Sequence, residues 1–140
     1  MDFWDFKNIY AKRDWRDTRI TRLETIKKEG SEYFSWAVPA TIAGAISNIE
    51  IATQFPRARK YQPLDFIEVM NNDAVNITLI INNDEFLPIP ALAIRPVAGH
   101  KLWQIGIRND DALAPSIAGM IIVSLRREPQ TIDDWARRQR

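Results

Sequence analysis

Between Leu64 and Leu125 the chain repeats one design: a short β-branched apolar run, then a turn built on Asn and Asp. The runs are DFIEVM, AVNITLII, EFLPIPALAI, KLWQIGI and AGMIIVSL, and the separators are Asn71-Asn72-Asp73, Asn82-Asn83-Asp84 and Asn109-Asp110-Asp111. Asn and Asp tolerate left-handed backbone and bond their own main chain, so such clusters punctuate hairpins. Strands and turns at this spacing predict a mainly β chain, an antiparallel β-sandwich of jelly-roll type.

Period-two alternation begins near Glu32. Phe34, Trp36 and Val38 alternate with Ser35 and Ala37, which predicts a first strand; Ile49, Ile51, Thr53 and Phe55 predict a second. The basic stretch from Pro56 to Pro63 is expected to be a loop. Val75, Ile77, Leu79 and Ile81 mark the clearest half-buried strand. Pro88 and Pro90, two apart, place their run at a sheet edge or bulge. Trp103, Ile105 and Ile107 form a further inward face. In the last strand Ile121, Val123 and Leu125 oppose Met120 and Ile122, and two apolar faces imply a central or covered strand.

The two ends read differently. Over residues 1–30, Phe3, Phe6, Ile9 and Tyr10 and then Ile20, Leu23 and Ile26 recur at helical spacing, beside a basic stripe of Arg13, Arg16, Arg19 and Arg22. This predicts an amphipathic N-terminal helix or helix pair, narrow enough in its apolar stripe to need a partner surface. After Pro129, Thr131 and Asp134 fit a capping box opening a short C-terminal helix with Trp135 as its apolar anchor. The expected division is 1–30 helical arm, 31–127 β-sandwich, and 128–140 short helix and tail. Charge follows the same division. Residues 1–30 hold eight Lys/Arg against six Asp/Glu, residues 31–123 six against nine, and residues 124–140 five against three. Without cysteine there is no disulfide or thiolate site. The start, MDFWDFKNIY, lacks the basic and apolar regions of a secretory signal, and AVPATIAGAI is too short to span a bilayer.

Chemistry is poorly supplied. His100 is the single histidine, next to Gly99, and reads as an exposed loop residue rather than a base or ligand. No nucleophile elbow, phosphate loop or dinucleotide fingerprint appears. Asp73, Asp84, Asp110 and Asp111 offer oxygens for calcium if their loops gather, but turn chemistry is the preferred reading and no metal or cofactor is expected. Trp36 and Trp103 lie on apolar faces and are expected in the core rather than stacked on a sugar. The arginine stripe is diluted by Asp14, Asp17 and Glu24, so protein contact is preferred to nucleic acid. Phe3, Trp4 and Phe6 are expected to dock on protein, with peripheral membrane contact as the alternative.

The pieces FIEVMNND, NITLIINND, FLPIPALAI and LWQIGIRNDDALAPSIAGMIIVSL resemble small β-sandwich, jelly-roll structural proteins of bacterial or archaeal virions, of the minor capsid, vertex or decoration type. The resemblance implies a non-enzymatic assembly subunit, located in the virion, whose terminal arms dock on copies of itself or on other virion proteins. The expected contacts are Phe3, Trp4, Phe6, Trp15, Arg13, Arg16, Arg19, Arg22, Trp135, Arg137 and Arg138. The competing reading is a carbohydrate- or receptor-binding sandwich module; a small enzyme pairing His100 with Asp110 or Asp111 ranks last.

Overall fold

Inward-facing aliphatic residues on alternate positions build two antiparallel four-stranded sheets in the computed structural model, which describes residues 28–129. Ser31–Glu128 forms a compact unit, the β body. The helices expected at either end, and every arm residue named above, lie outside the described residues.

The strands are β1 (Phe34–Ala37), β2 (Ile46–Glu50), β3 (Leu64–Asn71), β4 (Ile77–Ile81), β5 (Glu85–Ile89), β6 (Ile94–Leu102), β7 (Gln104–Asn109) and β8 (Ile121–Arg126). One sheet has the order β1-β8-β3-β6 and the other β2-β7-β4-β5, the eight-stranded double Greek key of a jelly roll. Ile67, Val69, Val123 and Leu125 of the first sheet and Ile77, Leu79, Ile81, Ile105 and Ile107 of the second fill the space between them. Each such side chain contributes about 1.5–3 kcal/mol on burial. As the two apolar faces of the last strand imply, β8 is central, between β1 and β3. The strand carrying Pro88 is an edge strand.

Four local expectations are corrected. The alternation through Ile51, Thr53 and Phe55 does not continue the second strand: Ile51–Gln54 is a helical turn, α1, closed by Phe55 N–H on the Ile51 carbonyl, and Pro56–Tyr61 follows as a 3-10 turn rather than an open loop. Ile51 and Phe55 both face the core from that turn, so a period of four mimics a period of two. The strand Ile77–Ile81 is buried on both faces. On its outer side Ile80 pairs with Phe86, and Thr78 sits opposite Arg108, whose guanidinium lies 5.9 Å from the Phe86 ring centre. Trp103 breaks the inward face of Ile105 and Ile107 because the chain reverses there between β6 and β7.

The three Asn/Asp separators do two different jobs. Asn82 and Asn83 take left-handed backbone (φ 52° and 62°) in the β4–β5 hairpin, as such turns require. Asn71 and Asn109 instead end inner strands of opposite sheets and are almost wholly buried. Each carboxamide stands where the chain leaves one sheet for the other. Asn71 Nδ2 donates to the carbonyls of Val75 (2.9 Å) and Pro90 (3.1 Å), and Oδ1 accepts the Asp73 N–H. Asn109 Nδ2 donates to the carbonyls of Thr41 (3.0 Å) and Ala114 (2.9 Å), and Oδ1 accepts the Asp111 N–H.

The match follows a pseudo-two-fold. Advancing every strand by four positions carries β1-β8-β3-β6 onto β5-β4-β7-β2, the second sheet read from its other edge. Under that shift Asn71 opposite Ile121 becomes Asn109 opposite Ile77. The Asn71 N–H bond to Ala93 becomes the Asn109 N–H bond to Ala45, and the Asn72 bond to Met120 becomes the Asp110 bond to Asn76.

Asn71→Ala strands the Val75 carbonyl and the Asp73 N–H and is expected to cost about 2–3 kcal/mol. Asn71→Asp, which faces two carbonyls with acceptors only, is expected to cost at least as much. Asn83→Gly, at an exposed left-handed position, is expected to change stability by less than about 0.5 kcal/mol. Urea denaturation of the three variants measures the difference; equal effects would refute the division of labour.

Candidate functional site: the apolar loop end

The register places the ends of β1, β3, β5 and β7 and the starts of β2, β4, β6 and β8 at one pole of the body. The four connecting loops, residues 38–45, 72–76, 90–93 and 110–120, therefore meet there. They are tied in series. Thr41 N–H donates to Ser116 Oγ (2.8 Å) and Ser116 N–H to the Thr41 carbonyl (2.9 Å). Ile117 N–H donates to Asp73 Oδ2 (2.7 Å), and Leu92 N–H reaches the Asp73 carbonyl (3.3 Å). Asn76 Oδ1 accepts the Ala91 N–H (2.9 Å).

All three carboxylates of these loops are engaged locally. Asp73 accepts the N–H groups of Ala74 and Ile117. Asp110 pairs with Arg108 Nε (2.8 Å) and accepts the Thr78 hydroxyl. Asp111 Oδ1 accepts the N–H groups of Leu113 (2.9 Å) and Ala114 (3.0 Å). The Ala114 N–H first, then that of Leu113, hold the Asp111 carboxyl below its ordinary value of 3.8; partial burial opposes them and the Ala112 N–H adds to them.

What these loops turn outward is aliphatic. Leu113 is 90% exposed, Leu92 76%, Ile42 71% and Ile117 61%, with Ile94 and Met120 beside them. Three of the loops contain the same closed turn: Ala45 N–H to Ile42, Ala93 N–H to Pro90, and Met120 N–H to Ile117. In each the third residue is left-handed, Gly44 at φ 77°, Leu92 at 60° and Gly119 at 80°. Two use the glycine that such a turn favours; the third uses leucine, which pays for its Cβ in backbone strain. The exposed rim extends onto the outer face of the first sheet, where Ala37, Ile122, Met70 and Ile94 lie in one row across all four strands.

The sequence-level candidates fall elsewhere. Asp84 sits at the opposite pole from Asp73, Asp110 and Asp111, so the four acids do not gather. Among the described residues no group of three or more His, Cys, Asp or Glu is placed to hold a metal ion. His100 is in strand β6 rather than a loop, with Nδ1 2.9 Å from Glu85 Oε2, at the pole away from Asp110 and Asp111. Trp36 is core at 7% exposure, but Trp103 is 46% exposed, contrary to expectation, where Asn82 Oδ1 accepts its N–H at the β6–β7 reversal. A shallow cavity of about 280 Å³ between Asn48, Glu50, Asn83 and Gln104 lies on the second sheet, and there Asn83 Nδ2 already donates to Gln104 Oε1. The aliphatic pole was missed by sequence reasoning. Its signal is the recurrence of Ile-Ala-Gly at 42–44 and 117–119, two apolar turns where loops are ordinarily polar.

No family model matches the chain, and no curated protein matches it. A solved structure similar to it is the Cupin_2 domain of an XRE family transcriptional regulator from Enterobacter cloacae, 15% identical, covering 70% of this chain and 81% of that one, with a TM-score of 0.38. That neighbour is a domain of a regulator and not a virion protein, and no virion protein was matched. The expectation of a capsid, vertex or decoration subunit, with its virion location, is corrected accordingly. The alternative of a carbohydrate- or receptor-binding module gains no support either. Among the described residues no helix is long and apolar enough to cross a membrane.

The Asp111 carboxyl is held below its unfolded value, so its ionised form favours the folded state. That contribution is complete above the ordinary carboxylate value and is lost as pH falls through the lowered folded one. Asp111→Asn keeps an oxygen acceptor and removes the titration. Acid unfolding of the variant is therefore expected to show a shallower loss of stability below about pH 4 than the parent chain. Superimposable pH profiles would refute the assignment.

Proposed function

We propose that this chain is a non-enzymatic interaction module that docks on protein through its apolar loop end. The observation that carries the reading is the union of a rigid base with an aliphatic surface. Loops ordinarily lower their free energy by exposing polar residues. Here Ile42, Leu92, Leu113 and Ile117 stand in solvent on backbone fixed from below by Asn71, Asn109, Asp73 and Asp111. Contiguous exposed apolar surface rimmed by satisfied polar groups marks a contact site. A preformed one loses little conformational entropy on binding.

Leu92 supports the same reading. In a left-handed turn position it costs about 1 kcal/mol relative to glycine, and at 76% exposure it regains almost nothing by packing within its own body. A contact outside the body returns that cost. The acid–base geometry is consistent with a non-catalytic role: His100 meets Glu85 on an open strand, away from the other loop acids.

Proximity labelling compares the parent chain with a Leu113→Lys/Ile117→Lys variant and with Arg57→Asp, placed on the 3-10 turn at the opposite pole. The expected result is one set of labelled proteins, the chain's own copies aside, shared by the parent and Arg57→Asp and missing from the double variant. The same set from all three would refute the reading. Leu92→Gly is expected to raise stability by about 0.5–1 kcal/mol while weakening capture. A variant that is less stable, or equally well captured, would remove Leu92 from the contact.

A further inference from the structure

The edge of a sheet leaves backbone N–H and C=O groups unpaired, and this body treats its two flanks differently. On one flank the edges of β5 and β6 meet. The Arg95 guanidinium donates to the Pro88 carbonyl (2.8 Å), and His100 Nδ1 stands 2.9 Å from Glu85 Oε2. In β6 the odd-numbered residues serve β3, as the Asn71 N–H bond to the Ala93 carbonyl shows, so Pro96 faces outward. In β4 the even residues serve β7, as the Asp110 bond to Asn76 shows, so the odd residues of β5 serve β4 and Pro88 faces outward. Each proline removes a donor from its open edge.

The other flank, where β1 and β2 end their sheets, is built without that block. The Ala45 carbonyl accepts from Asn109 and Ile51 N–H donates to Trp103, so the odd residues of β2 serve β7. The N–H and C=O groups of Ile46, Asn48 and Glu50 therefore point away from the sheet, and nothing among the described residues bonds them. The pseudo-two-fold supplies the comparison. It carries Ala93 onto Ala45, hence Pro96 onto Asn48, and it carries Pro88 onto Ala37. Both outward prolines of the blocked flank are thus replaced on the open one. A Cβ at Gly106, opposite Asn48, would come within 2.5 Å of Asn48 Oδ1. Glycine lets that carboxamide lie back over β7 and leaves the edge clear.

We propose that the β2 edge pairs with the β2 edge of a second copy, antiparallel and centred on Asn48, joining two four-stranded sheets into one. The row is its own complement. With Asn48 opposite Asn48 of the second copy, and Ile46 opposite Glu50 of the second copy, every outward N–H meets an outward carbonyl. Glu50 is the only charge on β2, and the two-fold sets the two carboxylates four residues apart along the strands. That separation is on the order of 14 Å, beyond the screening length of about 8 Å at physiological salt. The nearest charge across the ladder from the second copy's carboxylate is Arg108, opposite Ile46 and of the other sign. Residues 38–45 and α1, which flank β2, carry no charge. A foreign strand would draw its selectivity from side-chain pockets beside the edge. The cavity beside β2 is shallow, and its Asn83 and Gln104 amides already bond each other. A two-fold needs no such pocket, because each contact is made twice.

The pairing is independent of the loop end and is tested in full-length protein. Hydrogen exchange of the parent chain is expected to show the Ile46, Asn48 and Glu50 amides protected at high concentration and exposed on dilution, with Ser47 and Ile49 protected throughout. Asn48→Pro repeats on β2 what Pro96 does on β6, where the fold accepts it. It is expected to keep the circular-dichroism melt and to weaken self-association in sedimentation about a hundredfold. Asn48→Asp, which opposes two carboxylates at the axis, serves if proline perturbs folding. The chain has no cysteine, so a short thiol crosslinker is expected to join Ile46→Cys to Glu50→Cys in a mixture and to join neither to itself. A monomeric parent with the three amides unprotected overturns the proposal. A monomer with them protected means that the chain covers its own edge, and it overturns the second copy. A dimer that survives Asn48→Pro, or that crosslinks through Ile46→Cys alone, overturns the β2 pairing. Loss of the dimer in Leu113→Lys/Ile117→Lys but not in Asn48→Pro would move the contact to the loop end. Loop-end labelling that fails while the dimer persists leaves the β2 pairing standing.

Discussion

Where a chain crosses from one sheet of a sandwich to the other, its backbone leaves the ladder while still buried. Every N–H and C=O stranded there needs a partner, since an unmet buried group costs about 1–3 kcal/mol. In this protein one side chain at each of two crossings supplies three bonds. A carboxamide suits the task because it carries donors and an acceptor at once. Nδ2 of Asn71 and of Asn109 reaches two carbonyls in two different loops, while Oδ1 caps an N–H two residues on. Aspartate has the shape without the donors, and leucine the volume without either. The positions of the four loops, and hence the surface they present, depend on this pair.

That arrangement inverts the usual order of a loop region. Polar groups are turned inward and spent on the backbone: Asp73 on Ile117, Ser116 on Thr41, Asp111 on Leu113 and Ala114. With the backbone satisfied from below, the loop tips no longer need polar side chains to be well formed, and aliphatic ones stand there instead. Rigidity and apolar exposure are thus two sides of one network. The opposite pole is built in the ordinary way, with Arg57, Arg59, Lys60 and Lys101 in solvent and the reversals served by Asn82, whose Oδ1 accepts from Trp103 and Gln104. The body is therefore polarised along its strands, with exposed basic residues at one pole and exposed aliphatic residues beside three hydrogen-bonded carboxylates at the other.

Period-two alternation was legible wherever a strand had one buried face, as at Phe34-Trp36-Val38 and Ile121-Val123-Leu125. It misled where a different geometry produced the same spacing. Ile51 and Phe55 are four apart and meet the core from a helical turn, and Trp103 continues a pattern that the chain has already abandoned by reversing. The Asn/Asp clusters were legible as chain reversals but not as two kinds. A left-handed Asn in a hairpin and a buried Asn at a crossing look alike in sequence, and only the fate of the carboxamide separates them. The loop end was illegible for a related reason. Ile42, Leu113 and Ile117 lie in different loops, and nothing local says that Thr41 and Ser116 meet across 75 positions of chain. The aromatic and arginine residues at the chain ends stand out in sequence far more than these aliphatic ones do.

Leu92 carries the argument furthest, because the pseudo-two-fold provides its control. Gly44 occupies the corresponding place in the corresponding turn, with the same closing bond and nearly the same backbone. The fold therefore accepts glycine at this position, and glycine is the cheaper residue there. Leucine adds strain to the turn and leaves most of its side chain in water, so neither local conformation nor the core of its own body accounts for it. A residue that costs stability where an unstrained choice exists points to an interaction beyond the body. The neighbours that would share such a contact, Leu113 and Ile117, reach the same surface through Asp111 and Asp73. A contact made by Leu92 is thus made by a whole pinned face and not by one side chain.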